Sequence, residues 1–135
     1  MLLKNYDPLK GKRLEILDAE GNVINDKLEP KIDKETLLKM YKTMTLGRVA
    51  DIKALQYQRQ GRMLTYAPNM GQEAAQVGAI AAMEDRDWLS PGFRDLDFML
   101  YRGVPLRQVY LYWYGNEWGS HYDEGQKILP INIII

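Results

Sequence analysis

The stretch from Lys34 to Gln60 reads KETLLKMYKTMTLGRVADIKALQYQRQ, and its pattern decides the fold class. Leu37, Tyr41, Met44, Val49, Ile52 and Leu55 recur near the helical period. Asp33, just before it, suits an N-cap, because its carboxylate can accept an unpaired first-turn amide. Glu35 complements the positive end of the helix, and Gly61 stops the pattern. The spacing therefore predicts one helix over 34–60. Gly47 is its weak point, costing about 1 kcal/mol relative to alanine.

Working outward from this helix, Tyr66-Ala67-Pro68 reads as an extended link, since proline disfavours the helical region for the residue before it. Asn69 and Gln72 form a capping-box pattern for a second helix over 70–83. Its body, Ala74 to Ala82, is built almost wholly of small residues, which lets a neighbouring helix approach closely. Ser90-Pro91 suits the start of a third helix over 91–102, with Phe93, Leu96 and Leu100 on one face. Pro105 opens a fourth over 105–114, which Gly115 ends. Upstream, residues 1–12 read as an arm. Arg13 to Ile24 reads as a β-hairpin around the turn-rich Asp18-Ala19-Glu20-Gly21-Asn22. Downstream, the run Ile128–Ile135 ends in Ile133-Ile134-Ile135, which reads as a buried strand.

The expected class is α/β, with the covered portion mostly α-helical between an N-terminal hairpin and a C-terminal strand. The expected division is an arm and hairpin over 1–32, then the first part of a larger domain over 33–135. Three bare isoleucines need neighbouring strands to bury them. The chain is therefore expected to be the front piece of a longer α/β protein; the plainer alternative is an edge strand packed on the helices.

Composition excludes several function classes. Lysine plus arginine and aspartate plus glutamate number 18 each, so no basic excess points to nucleic acid. No cysteine is present, which removes disulfides, thiolate metal sites and a cysteine nucleophile. The single histidine, His121, forms no histidine metal cluster and reads as a polar loop residue. No apolar run approaches the ~18 residues of a membrane span, and the start lacks a signal-peptide pattern. The expected location is the cytoplasm.

The chemistry-bearing candidates are few. Ser90-Pro91-Gly92-Phe93-Arg94 places an arginine at an expected helix start, where unpaired amides and a guanidinium suit phosphate. Asp95 and Asp97 weaken that positive field, and an ion pair with one of them is the plainer role for Arg94. Gln72-Glu73 is a second candidate, although a first-turn glutamate ordinarily serves the helix dipole. The aromatic stretch from Tyr110 to Tyr122 reads as core and interface packing.

Taken in order, these strings resemble the alpha subunit of the decarboxylating component of pyruvate dehydrogenase, bacterial type. The resemblance runs through Gln58-Arg59-Gln60-Gly61-Arg62, Tyr66-Ala67-Pro68, Gly71-Gln72-Glu73-Ala74 and Asp87-Trp88. It continues through Ser90 to Asp95, Tyr101-Arg102-Gly103-Val104-Pro105-Leu106, Gly115 to Gly119, Glu124-Gly125 and Leu129-Pro130. It implies a thiamine-diphosphate-binding fold and the cofactor thiamine diphosphate, with Mg2+ held by residues outside this chain. Phe93-Arg94 stands where the family has an aromatic-arginine pair, usually tyrosine-arginine, that touches the diphosphate. Phenylalanine lacks the phenol hydroxyl, so the contact carries over to Arg94. Ile133 and Ile135 match positions whose backbone faces the cofactor. Ala67 stands where some relatives place a substrate-contacting histidine. The implied partners are a beta subunit, which supplies the glutamate that activates the cofactor, and a lipoyl acyltransferase. The implied reaction is oxidative decarboxylation of pyruvate or a branched-chain 2-oxo acid, with this chain inactive alone. The competing reading is a non-catalytic helical interaction module derived from that subunit.

Overall fold

The computed structural model describes residues 2–129. The chain divides into two compact units, Met1–Asp33 and Lys34–Ile135.

The first unit holds a short helix, α1 (Leu2–Asn5), and two 3-10 turns, Pro8–Lys10 and Asp26–Leu28. The expected β-hairpin does not form. A single antiparallel bridge joins Leu17 and Val23, and no strand extends from it. The reason is local. Asp18 accepts from the amides of Glu20 and Asn22 and from the Asn22 carboxamide, so the turn closes on its own side chain. The flanking Leu14, Leu17, Val23 and Ile24 stay exposed. Without an apolar face to bury, a two-stranded ladder gains little.

The second unit is helical: α2 (Lys34–Arg59), α3 (Glu73–Ala81), α4 (Leu96–Tyr101) and α5 (Leu106–Trp113). Helices α2, α3 and α4 pack against one another, and α5 packs on the 3-10 turn Glu117–Ser120. The long helix buries an unexpected stripe. Thr43, Gly47, Ala50, Asp51 and Ala54 face inward, whereas Leu37, Tyr41, Val49 and Ile52 remain exposed. Both stripes share the helical period, so periodicity reveals the helix but not which side is covered. Small residues win the inner face because α3 and α4 come close there. A Cβ on Gly47 would overlap the Asp97 carboxylate outright, whereas one on Gly78 of α3 would meet nothing. The close approach of α2 to α4 thus depends on Gly47.

The core gathers Ala50, Ala54, Tyr66, Ile80, Leu89, Met99, Val109, Trp113 and Ile128. The Trp113 ring meets those of Tyr66 and Tyr112 edge-on, both at 5.4 Å. At about these separations, edge-to-face pairs add to plain burial. Gly119 sits against the backbone of Leu111 and Tyr112, where any side chain would collide.

Two helix starts differ from expectation. α3 begins at Glu73, and its N-cap Gln72 makes no side-chain capping bond. The expected capping box is absent because Asn69 bonds elsewhere, to the Ala67 carbonyl at 2.9 Å and the Leu96 amide at 3.2 Å. α4 begins at Leu96 instead of 91. Leu89 is drawn into a parallel bridge with Ile128, donating to the Lys127 carbonyl and accepting from Leu129, each at 2.8 Å. Asp95 meanwhile accepts from the Gly92 amide at 2.6 Å, which folds 92–95 as a turn. The Leu89–Ile128 bridge is all the pairing that the C-terminal run shows among the described residues, and no strand forms among them. The strand expected at Ile133–Ile135 lies outside them.

Candidate functional site

A buried polar network joins α2, α3, the 66–69 link and the start of α4. It begins at Asp51 on α2, which is 1% exposed. One of its oxygens accepts from the Tyr66 hydroxyl at 2.8 Å and the Asn69 amide at 2.6 Å; the other has no partner among the described residues. Desolvation, then the hydrogen bond to this carboxylate, drive the Tyr66 phenol well above its usual pKa.

Asn69 passes the connection on by accepting from the Leu96 amide. Gln76 of α3, 4% exposed, uses both ends of its carboxamide. Its nitrogen donates to the Arg94 carbonyl at 2.7 Å, and its oxygen accepts from the Asp97 amide at 2.8 Å. The first amides of α4 are therefore held by Asn69 and Gln76. The anion-binding helix start expected around 91–94 is not built, because the helix begins later and its amides have partners.

Arg94 itself is exposed and anchored. Its Nη1 donates to the Pro68 carbonyl at 2.8 Å. Its guanidinium lies 5.6 Å from the centre of the Phe93 ring, which is 53% exposed. Arg94 forms no ion pair with Asp95 or Asp97 among the described residues. The Asp95 carboxylate is engaged by the Gly92 amide instead. The remaining guanidinium donors thus stay open to an oxyanion, and an anchored, exposed arginine fits the diphosphate that the resemblance implies.

Next to this network lies a charged cluster. Arg48 of α2 meets Glu73 of α3 at 2.5 Å, and Glu73 also accepts from the Gly71 amide at 3.0 Å. The Arg48 hydrogen bond holds the Glu73 carboxyl below its usual pKa. Glu73 is therefore an interhelical ion-pair partner besides standing in the first turn. Asp97 is 0% exposed, and neither carboxylate oxygen has a hydrogen-bond partner among the described residues. Burial, then the negative charges of Glu73 and Asp51, push its pKa up to about 7, with Arg48 opposing.

Of the sequence candidates, the structure places Phe93 and Arg94 side by side on the turn before α4. Ile133 and Ile135 lie outside the described residues. Asp51 and Gln76 were not singled out from sequence, and Asn69 and Asp97 were read there only as a helix cap and as a charge opposing Arg94. One signal was present: Gln76 is the polar exception within the small-residue run Ala74–Ala82. A polar residue on a buried face needs partners. His121 lies in a loop, with Nδ1 2.9 Å from the Glu117 carbonyl.

Comparisons with known proteins agree on one family. The family model described as "Dehydrogenase E1 component" matches residues 41–135. The chain is 71% identical over 118 residues to the pyruvate dehydrogenase E1 component subunit alpha of Acholeplasma laidlawii, covering 87% of this chain and 34% of that protein. It is 44% identical over 135 residues to the subunit of the same name from Mycoplasma genitalium, covering 100% and 37%. The Staphylococcus aureus counterpart is 36% identical over 126 residues, covering 93% and 34%. The chain thus spans about a third of the length of the curated relatives it matches. With the family model covering most of the chain, this protein belongs to the dehydrogenase E1 component family.

Proposed function

We propose that this chain is part of a 2-oxo acid dehydrogenase alpha subunit that carries out oxidative decarboxylation of pyruvate in the cytoplasm. The observation that carries the reading is the 71% identity to a pyruvate dehydrogenase E1 alpha subunit. The exposed Arg94 guanidinium supports it, because the donor that the resemblance assigns to the cofactor diphosphate is anchored and, among the described residues, not ion-paired. Thiamine diphosphate, when bound, supplies the carbanion that adds to the 2-oxo group and the electron sink for loss of carbon dioxide.

This chain's own contribution is placement. Arg94 holds the diphosphate end by charge-assisted hydrogen bonds, and Phe93 flanks the guanidinium with its ring face. The backbone at Ile133 and Ile135 would face the cofactor. Mg2+ belongs in this proposal to residues outside this chain; no group of metal-holding side chains gathers among the described residues. A beta subunit supplies the activating glutamate, and the acyl group passes to the lipoyl arm of an acyltransferase. No described helix is long and apolar enough to cross a membrane.

The test is an assay of the intact subunit, co-purified with its beta subunit, using thiamine diphosphate, Mg2+ and an artificial electron acceptor. Pyruvate turnover that requires the cofactor is the expected result, and the 135-residue chain alone should show none. Faster turnover of a branched-chain 2-oxo acid would overturn the substrate assignment. Absence of any cofactor-dependent turnover would overturn the enzymatic reading in favour of a non-catalytic module.

A further inference from the structure

We propose that Gln76 is a positioning residue for Arg94, its carboxamide clamping the Arg94 carbonyl and the Asp97 amide so that the guanidinium is presented in one place. The inference rests on the reading of Arg94 as the diphosphate contact.

Arg94 sits on a turn, not in a helix, so no regular ladder fixes its backbone. Within 92–95 the tie is the single bond from the Gly92 amide to Asp95. Two outside anchors complete the hold. The guanidinium is tied to the Pro68 carbonyl at 2.8 Å, and the main-chain carbonyl to Gln76 Nε2 at 2.7 Å. The opposite end of the Gln76 carboxamide accepts from Asp97, so one side chain spans the turn and the start of α4. Gln76 stands in the middle of α3, nearly fully buried, and its backbone is fixed by the helix. Burying a carboxamide is unfavourable unless both its ends are bonded, as they are here. The Pro68 anchor is itself steadied, because the adjacent Asn69 amide is held by Asp51 on α2. Arginine has many rotamers, and a site binds well when they are restricted beforehand. Gln76 therefore acts through Arg94 without touching the ligand.

The experiment uses the intact subunit assembled with its beta subunit and measures thiamine diphosphate affinity, with Mg2+ present, by calorimetric titration. Gln76→Met removes both hydrogen bonds at similar volume. It should weaken binding about threefold to tenfold, the loss expected for one or two neutral hydrogen bonds. Arg94→Ala should weaken binding further, and adding Gln76→Met to it should change nothing more. Should Gln76→Met fail to assemble, Gln76→Leu is measured instead; it too removes the donor to Arg94 and the acceptor for Asp97 without adding charge, and a similar loss is expected. Unchanged affinity in the Gln76 variant, with a clear loss in Arg94→Ala, overturns the positioning role and leaves the diphosphate reading standing. A Gln76 effect that persists undiminished in the Arg94→Ala background overturns it too, because the effect is then general. Unchanged affinity in Arg94→Ala sinks the diphosphate reading itself.

Discussion

Replacing Asp97 with asparagine should abolish a pH-dependent loss of stability. The Asp97 carboxylate is fully buried, accepts no hydrogen bond from the described residues and is packed on Gly47 of α2. Desolvation first, then Glu73 and Asp51, raise its pKa from 3.8 to about 7. The folded chain therefore keeps a proton that the unfolded chain has already released. Stability falls with rising pH wherever the folded state binds more protons. The loss begins near the unfolded pKa of 3.8 and is complete above about 7. At ~1.4 kcal/mol per pH unit, a gap of about three units sets a ceiling of ~4 kcal/mol. Glu73 and Asp18 act in the opposite direction, because their pKa values are lowered. Their contribution grows as pH rises towards the ordinary carboxylate range; that of Asp18 cancels when variant and wild type are compared, and the repulsion between Glu73 and Asp97 is part of the measured difference. Any penalty from the buried asparagine amide is a constant offset. Urea unfolding followed by tryptophan fluorescence, at roughly pH 4 to pH 8, gives the comparison. The stability of Asp97→Asn relative to wild type should climb across this range and then level. A difference that stays flat with pH would show that Asp97 is ionised throughout and refute the argument.

Three further outcomes follow from the packing and the site. Gly47→Ala should destabilise the chain, because the ~1 kcal/mol gain in helix propensity is outweighed by forced repacking around Asp97, typically ~1–3 kcal/mol; combining it with Asp97→Ala should recover the thermal midpoint. Trp113→Ala should cost ~3–5 kcal/mol, read by urea unfolding, since a buried indole packed on two tyrosines is deleted. Arg94→Ala in the assembled enzyme should reduce thiamine diphosphate affinity by ~1.5–3 kcal/mol, read by calorimetry, with subunit assembly intact.

Much of the helical layout was legible because its signals are local. Lys34–Arg59 ends one residue short of the expected boundary, and Leu106–Trp113 lies within the expected 105–114. Period, proline and glycine fixed these elements without reference to distant residues. The same local signals misplaced the starts of α3 and α4. Asn69 and the Ser90-Pro91 pair have capping chemistry, but other groups claimed them or their neighbours: Leu96 bonds the Asn69 side chain, and Ile128 bridges Leu89. The hairpin failed for a related reason, since alternating apolar residues make a ladder only when something covers them.

The sequence by itself determined that the chain is mainly helical, that it lacks the residues for thiol and histidine-cluster chemistry, and, through its ordered motifs, that it resembles the E1 family. It also singled out Phe93 and Arg94, because an arginine beside an aromatic is recognisable in a linear string. Only the tertiary structure decided which face of α2 is buried, since two stripes share one period and burial depends on what arrives from α3 and α4. It also assembled Asp51, Asn69, Gln76 and Asp97 into one network. These residues are separated by 7 to 46 positions in the chain, and hydrogen bonds of fixed length join them only once three helices have packed.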